Sequence, residues 1–296
     1  MKLGDDFTPF TIPITYDVSI HGSQAGEGPP LLLLHGFPQT SLIWHKIAPR
    51  LTTSYRVMAI DLRGYGASSK PPGDASHKAY AKSTMAQDAV TVMDRLGHKR
   101  FYVCGHDRGG RVTHQMCVDH PDKVIKAMVL DIAPTLAMFE QTDKQFASAY
   151  WHWFFLIQPA PFPEMIMHSN PELFTKKFLS VPGVPEETFH PDARRAYTDL
   201  FRNRDACHGM CEDYRAGASI DCQEQRENLA KGKKIKCPLM VIWGNKGLVE
   251  KKFDALGEWR KVSESEVVGE AFDCGHYIPE EKPDELLVRM TGWFKQ

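Results

Sequence analysis

The sequence predicts an α/β fold, a mostly parallel central sheet with helices on both faces and an inserted helical segment. Three observations predict it. Strand-like and helix-like segments alternate over residues 1–134. The run Leu31 to Leu34 is apolar at every position, as in a strand buried on both faces. After Pro134 the strand pattern stops, and it resumes only at Pro238. Alternation of this kind is typical of parallel strands joined by helices.

The composition restricts the classes of protein that fit. The chain has 296 residues, a formal net charge of −1 and 42% hydrophobic residues, as in ordinary globular proteins. This charge gives no reason to expect binding to nucleic acid or to an anionic membrane. No apolar run reaches the roughly 18 residues of a membrane span, and the first residues carry no apolar signal core. We therefore expect a cytoplasmic protein.

Seven cysteines are scattered along the chain without a CxxC pair, which argues against a disulfide framework and against a zinc site. The length favours one large domain with an insertion, or two unequal domains.

The elements of the first part follow in chain order. The predicted strands are Tyr16 to Ile20, Leu31 to Leu34, Tyr55 to Ile60, Phe101 to Cys104 and Val124 to Leu130. The predicted helices are Ile43 to Leu51, Thr84 to Leu96 and Arg111 to Val118. In the second of these, the apolar positions from Ala86 to Leu96 fall on one stripe, as expected of a helix packed against a sheet.

The second part begins with a different pattern. From Thr135 to about Lys231 there is an aromatic cluster, a proline-rich stretch and charged helical segments, but no clear buried strand. Strands are predicted again at Pro238 to Trp243 and Val267 to Phe272, followed by a closing helix from Pro283 to Phe294. We therefore predict a core in two parts, residues 1–134 and 233–296, with a helical cap insertion at residues 135–232.

The segment Gly105-His106-Asp107-Arg108-Gly109-Gly110 lies between a predicted strand and a predicted helix. A nucleophile on such a tight turn needs small neighbours, because strand and helix press against it from both sides. The helix N-terminus would keep the Asp107 carboxylate ionised. A glycine-rich turn with a helix-capping aspartate would have the same sequence.

Two further residues favour the catalytic interpretation. Asp131 ends the next strand, and His276 follows the last strand in Cys274-Gly275-His276. Because the carboxyl ends of parallel strands meet at one edge of a sheet, Asp107, Asp131 and His276 would meet there as nucleophile, acid and histidine.

The turn His35-Gly36-Phe37-Pro38 follows the apolar strand directly. It can present the backbone N–H of Phe37 toward the same edge, and the N–H of Arg108 would be the second donor of an oxyanion hole. The segment Asp61-Leu62-Arg63-Gly64-Tyr65-Gly66 lacks the third glycine and the helix of a dinucleotide-binding fingerprint, so we reject that function.

These four motifs resemble the α/β-hydrolase superfamily over nearly the whole chain, which implies the α/β-hydrolase fold. An Asp in place of Ser as nucleophile is similar to haloalkane dehalogenases, epoxide hydrolases and fluoroacetate dehalogenases, and disfavours a serine esterase. Three features resemble the fluoroacetate dehalogenases in particular. They are Asp107-Arg108-Gly109-Gly110-Arg111, Trp151-His152-Trp153, and Met210-Cys211-Glu212-Asp213-Tyr214-Arg215-Ala216-Gly217.

The resemblance implies hydrolysis of haloacetates, with fluoroacetate giving glycolate and fluoride. Arg108 and Arg111 would bind the substrate carboxylate, which the Asp107 carboxylate would otherwise repel. The donors for the departing halide would be His152, Trp153 and Tyr214.

Asp107 would form an ester, and His276 oriented by Asp131 would activate the water that hydrolyses it. Many relatives with an Asp nucleophile place the triad acid after the strand that ends near Trp243. Here that position is Gly244-Asn245-Lys246-Gly247, which contains no acidic residue, so Asp131 must be the triad acid. Because a neutral His276 suffices as the base, we expect that no metal or organic cofactor is needed. The resemblance implies a homodimer.

Two alternatives stay open. An epoxide hydrolase would use the same Asp and His, with Tyr150 and Tyr214 as acid donors, but two arginines beside the nucleophile are hard to explain for a neutral substrate. A non-catalytic receptor would use the pocket only for binding, and turnover would distinguish it from an enzyme.

Overall fold

The computed structural model describes residues 1–180 and 184–295. Its eight strands form one sheet in the order β1-β2-β4-β3-β5-β6-β7-β8. The strands are β1 (Thr8–Pro13), β2 (Ser19–Ala25), β3 (Pro30–Leu34), β4 (Arg56–Ile60), β5 (Phe101–His106), β6 (Val124–Leu130), β7 (Leu239–Gly244) and β8 (Val267–Phe272). Only the β1–β2 and β2–β4 pairs are antiparallel, and the others are parallel. The predicted mostly parallel sheet is confirmed.

Helices cover both faces of this sheet. Those of the first part are α1 (Ala48–Leu51), α2 (Lys82–Arg95) and α3 (Arg108–Asp119). Those between β6 and β7 are α4 (Thr135–Glu140), α5 (Lys144–Ala149), α6 (Trp151–Leu156), α7 (Phe162–Ser169), α8 (Pro171–Leu179), α9 (Pro191–Arg202), α10 (Arg204–Ala218) and α11 (Ile220–Ala230). The last are α12 (Leu248–Lys252), α13 (Ala255–Lys261), α14 (Ile278–Glu281) and α15 (Pro283–Phe294).

Strand β3 contains no polar residue because both of its faces are covered. Leu32 and Leu34 belong to the buried cluster that includes α2 and α3. Leu31 and Leu33 belong to the cluster on the opposite face, with α1 and α15. Since successive side chains of a strand point to opposite faces, a strand covered on both faces must be apolar at every position.

Two predicted elements are wrong in their bounds. The predicted strand Tyr16 to Ile20 begins too early, because Tyr16 is fully exposed in the turn between β1 and β2. Strand β1 itself was missed, since it is an edge strand with no buried position and so lacks an apolar pattern. The predicted helix Ile43 to Leu51 is divided into a 3-10 turn, Ser41–Trp44, and the short α1. Pro49, which has no N–H to donate, lies in the first turn of α1.

Between β6 and β7 the described residues form helices and no strands, in agreement with the predicted insertion. Residues 135–232 therefore remain our proposal for a cap domain, between core parts at residues 1–134 and 233–296. Among the described residues no helix has both the length and the apolar character needed to cross a membrane.

Candidate active site

Asp107 lies on a strained turn between β5 and α3, with φ 45° and ψ −112°. Side chains at the neighbouring glycines would not fit. A Cβ at Gly105 would lie 2.4 Å from the carbonyl oxygen of Gly109, and a Cβ at Gly109 would lie 2.5 Å from that of His35. A Cβ at Gly36 would approach the Cβ of Asp107 to 2.5 Å. The small residues therefore allow the turn to project Asp107 from the sheet edge.

The Asp107 carboxylate is buried and held from one side. The backbone N–H of Phe37 donates a hydrogen bond to its Oδ2 at 2.9 Å. Burial alone would raise the pKa of Asp107, but the charges of His276, Arg111 and Arg108 outweigh it, and the pKa lies below its usual value. The carboxylate is therefore ionised at neutral pH.

Asp131 and His276 are in contact. His276 Nδ1 lies 2.5 Å from Oδ2 of Asp131, whose other oxygen accepts the backbone N–H of Gly244 at 3.0 Å. Burial opposes protonation of His276, but the hydrogen bond and charge of Asp131, together with the charge of Asp107, raise its pKa. The carboxyl ends of β5 and β6 and the loop after β8 thus bring the three predicted residues to one place.

A cavity of about 510 Å³ opens onto Asp107. The three predicted halide donors, His152, Trp153 and Tyr214, all line it. The ring of His152 lies 5.9 Å from that of Tyr214, and the ring of Trp153 lies 6.1 Å from it. Burial lowers the pKa of His152 to about 3, so this imidazole is neutral, and burial raises the pKa of the Tyr214 hydroxyl. Each of the three can therefore donate one hydrogen bond into the cavity.

Arg108 is not a free anion-binding group in this structure. Its Nε and Nη2 donate to the two carboxylate oxygens of Asp213 at 3.0 and 2.7 Å, and its guanidinium lies 4.3 Å from the centre of the Tyr214 ring. Neither Arg108 nor Arg111 is among the residues that line the cavity. The predicted binding of a substrate carboxylate by Arg108 and Arg111 stays a prediction, and the structure adds that a buried carboxylate already pairs with Arg108.

Arg111 has no such partner charge. Its guanidinium donates to the carbonyl oxygen of Ala133, to Thr135 Oγ1 and to Met138 Sδ, all of them uncharged. Its Nε is buried without a hydrogen-bond partner among the described residues. The guanidinium lies 4.7 Å from the centre of the Trp153 ring. Burial, helped by the charge of Arg108, lowers the pKa of Arg111 to about 10. The nearby charge of Asp107 opposes this lowering, but within the described ranges no carboxylate forms an ion pair with Arg111.

The groups that hold Arg108 were not predicted from the sequence. Asp213 also accepts from Lys82 and, at 2.8 Å, from the hydroxyl of Tyr65. Lys82 in turn lies 3.2 Å from a carboxylate oxygen of Asp221. Asp213 precedes Tyr214 in the segment Met210 to Gly217. An acidic residue at that position could have indicated a partner for one of the two arginines.

The cavity has three further lining lysines that sequence reasoning did not identify, Lys177, Lys246 and Lys251. Within the described ranges no cluster of three or more His, Cys, Asp or Glu side chains is arranged to hold a metal ion.

Comparisons with known proteins give one family. Its profile, described as alpha/beta hydrolase fold, matches residues 29–283. A fluoroacetate dehalogenase of a Burkholderia species is 45% identical over 82% of this chain and 80% of its own length. A soluble epoxide hydrolase of Corynebacterium sp. (strain C12) is 30% identical over 93% of both chains. The solved structure of an alpha/beta hydrolase from Nostoc sp PCC 7120 has a TM-score of 0.95 at 45% identity, covering 98% of this chain and 99% of that one.

Proposed function

We propose that this chain, which belongs to the alpha/beta hydrolase fold family, hydrolyses the carbon–halogen bond of haloacetates and converts fluoroacetate to glycolate and fluoride. The observation that carries the proposal is Arg111, a buried cation near the nucleophile with an unpaired Nε and only uncharged partners. A substrate carboxylate would supply the missing negative charge. The 45% identical fluoroacetate dehalogenase supports the same substrate class.

The first step is an SN2 displacement at the α-carbon. The backbone N–H of Phe37 donates a hydrogen bond to Oδ2 of Asp107, which leaves Oδ1 as the attacking atom. The new Oδ1–carbon bond forms as the carbon–halogen bond breaks, and the halide leaves with the bonding electrons. The product on the enzyme is a carboxymethyl ester of Asp107. Arg111, and Arg108 through its remaining N–H groups, would hold the carboxylate so that the α-carbon faces Oδ1.

The halide departs toward His152, Trp153 and Tyr214. Fluoride is a compact anion and a poor leaving group, so it needs several hydrogen-bond donors as its charge develops. The three donors line the same cavity as Asp107, and their side chains form no hydrogen bond with another described residue. They are therefore free to solvate the ion, and none of them has to give up a proton.

Hydrolysis of the ester requires His276 as a neutral base. In the resting site the charge of Asp107 contributes to the raised pKa of His276. Forming the ester removes that charge, so the first step itself shifts His276 toward the neutral form that the second step needs. Water then gives a proton to His276 and attacks the carbonyl carbon of Asp107. The oxyanion forms at Oδ2, where the N–H groups of Phe37 and Arg108 would stabilise it. When it collapses, the bond between the carbonyl carbon and Oδ1 breaks and His276 returns the proton to Oδ1. Glycolate leaves with Oδ1, the water oxygen stays in the Asp107 carboxylate, and the remaining proton goes to solvent.

Halide release from fluoroacetate and chloroacetate tests the proposal, with an Asp107→Ala variant as control and circular dichroism to establish that both proteins are folded. Fluoride release that disappears in the control is the expected result. Chloride without fluoride would support the mechanism and refute defluorination. Release of neither halide by the folded wild type would refute the haloacetate assignment.

Epoxide hydrolysis is the second candidate, because Tyr150 lines the cavity together with Tyr214. Burial raises the pKa of both hydroxyls, so both are protonated and can donate to an epoxide oxygen. The 30% identical epoxide hydrolase gives this reaction support. Diol formation from a neutral epoxide, unaffected by Arg111→Gln, would favour it. Stoichiometric binding of haloacetates and epoxides without turnover of either would favour a non-catalytic receptor.

The homodimer implied by the resemblance and the cytoplasmic location expected from the sequence also remain proposals. A homodimer predicts twice the chain mass in sedimentation equilibrium, and a cytoplasmic protein predicts recovery in the soluble fraction after cell disruption. The proposed reaction uses water and the halogenated acid alone, so dialysis against a metal chelator should leave its rate unchanged.

A further inference from the structure

The outer part of the active-site cavity carries charge of one sign. Lys177, Lys246 and Lys251 line it, and the only carboxylates among the lining residues are the catalytic Asp107 and Asp131. Lys177 lies on α8 of the cap, Lys251 on α12 of the core, and Lys246 on the loop after β7. The positive groups therefore face the cavity from both the cap side and the core side.

These lysines differ in how far they are neutralised. Lys246 forms an exposed ion pair with Asp273 at 3.1 Å. Lys177 and Lys251 have no ion-pair partner within the described part of the chain. The whole chain has a formal net charge of −1, so its overall charge does not attract anions. Any attraction toward the cavity must come from this local group.

We propose that Lys177, Lys246 and Lys251 form a cationic entrance that concentrates the anionic substrate at the mouth of the cavity. The inference rests on the proposed function, because it assumes that the substrate is a carboxylate. In this proposal the lysines attract the substrate before its carboxylate reaches Arg111, and they take no part in the chemical steps. They are positioning residues, and they should act on kcat/KM and leave kcat unchanged.

The size of the effect follows from Coulomb's law. A unit charge at roughly 10 Å in water changes the local concentration of a monovalent anion about twofold at low ionic strength. At about 0.15 M salt the Debye length is about 8 Å, so most of this effect is screened. Removing the two unpaired lysines should therefore lower kcat/KM about fourfold in dilute buffer, and much less in high salt.

The chain supplies matched controls in the adjacent residues. Lys176 lies on α8 beside Lys177, and Lys252 is the last residue of α12, paired with Asp143 at 2.7 Å. Neither of them lines the cavity. The double variants K177Q/K251Q and K176Q/K252Q change the net charge equally. A third double variant, K177E/K251E, reverses both entrance charges and should double the effect on a logarithmic scale.

The measurements are kcat/KM for fluoroacetate at low and high ionic strength, and the affinity of each double variant for intact fluoroacetate by fluorine NMR. The NMR titration is made in an Asp107→Ala background, where no turnover occurs. We expect K177Q/K251Q to lose about fourfold in kcat/KM and in affinity at low salt, with kcat unchanged and with no comparable loss in K176Q/K252Q.

Equal losses in both glutamine variants, or a loss that persists in high salt, would overturn the entrance proposal. Absence of fluoride release by the wild type would instead refute the proposed function. The NMR titration still decides the entrance proposal in that case, because it measures binding of the anion alone. If K177E/K251E leaves the affinity for fluoroacetate unchanged in that titration, the entrance proposal is refuted.

Discussion

Replacing Asp213 by asparagine would remove the one carboxylate shared by Arg108, Lys82 and Tyr65. Its oxygens accept from Arg108 Nε at 3.0 Å, Arg108 Nη2 at 2.7 Å and the hydroxyl of Tyr65 at 2.8 Å, and from Lys82. Asparagine keeps the shape and loses the charge, so of the two fully buried cations Lys82 would keep Asp221 as an ion-pair partner and Arg108 would keep none within the described residues. Removing one partner of a buried ion pair typically costs about 3–5 kcal/mol. We expect a loss of this size in the free energy of unfolding at pH 7, measured by urea denaturation.

The pH dependence of that loss is a sharper test. Burial would raise the pKa of Asp213, but the charges of Arg108 and Lys82 outweigh it and hold the pKa well below the usual range. In the unfolded chain the value is about 3.9. Because the folded value is the lower one, the stabilisation by this carboxylate is complete above that pH and is lost as the pH falls. The difference between wild type and D213N should therefore be constant near neutrality and shrink below about pH 4, by at most about 1.4 kcal/mol per pH unit.

A matched control is Asp199→Asn, which breaks an exposed pair with Arg202 at 2.7 Å. Pairs of this kind contribute at most about 1 kcal/mol. A D213N loss no larger than that of D199N would refute the argument that buried charge pairing holds Arg108 in place. A large loss that stays unchanged down to pH 3 would show that the cause is packing and not charge.

Three further predictions concern the reaction. His276→Gln should release at most one halide per enzyme and accumulate the carboxymethyl ester, seen as an added carboxymethyl group on the Asp107 peptide by mass spectrometry; steady turnover would contradict the assignment of the base. Arg111→Gln should lower kcat/KM for haloacetates about 10- to 100-fold, the size of a charge-assisted hydrogen bond, with an unchanged circular dichroism spectrum; an unchanged kcat/KM would exclude Arg111 from binding. Gly36→Ala should lower kcat at least about 100-fold, because its Cβ would displace the carboxylate from its N–H donor. Gly292→Ala, where nothing lies within 4 Å of the added Cβ, should leave kcat unchanged.

The sequence could predict the sheet and the proximity of Asp107, Asp131 and His276 because both follow from local rules. Gly105 and Gly109 lie near Asp107 because strand and helix approach closely there and leave no room for a Cβ. This steric requirement is visible in the sequence next to Asp107. Asp131 and His276 follow strands whose carboxyl ends share one edge, so their distance in the chain did not matter. Edge strand β1 was missed because it has no buried face to give it an apolar pattern.

The difference in charge pairing between the two arginines could not be predicted in the same way. Arg108 and Arg111 follow Asp107 in one motif, and nothing local distinguishes their charges. The difference depends on Asp213, 105 positions away on helix α10, and on how that helix packs against the core. Contacts between an insertion and its core depend on tertiary packing, which one sequence does not encode in any short pattern. The cavity lysines were missed for the same reason.

The position of the helical insertion has a consequence for how the chain folds. β6 and β7 are neighbours in the sheet, but the whole of α4 to α11 separates them in sequence. During synthesis one edge of β6 stays unpaired until β7 has been synthesised. An exposed edge of an apolar strand can pair with strands of other chains and cause aggregation. Joining Asp131 to His276, 145 positions apart, adds a loop-closure cost of about 4 kcal/mol. Any helix of the insertion that forms before β7 pairs would shorten that loop and lower this cost.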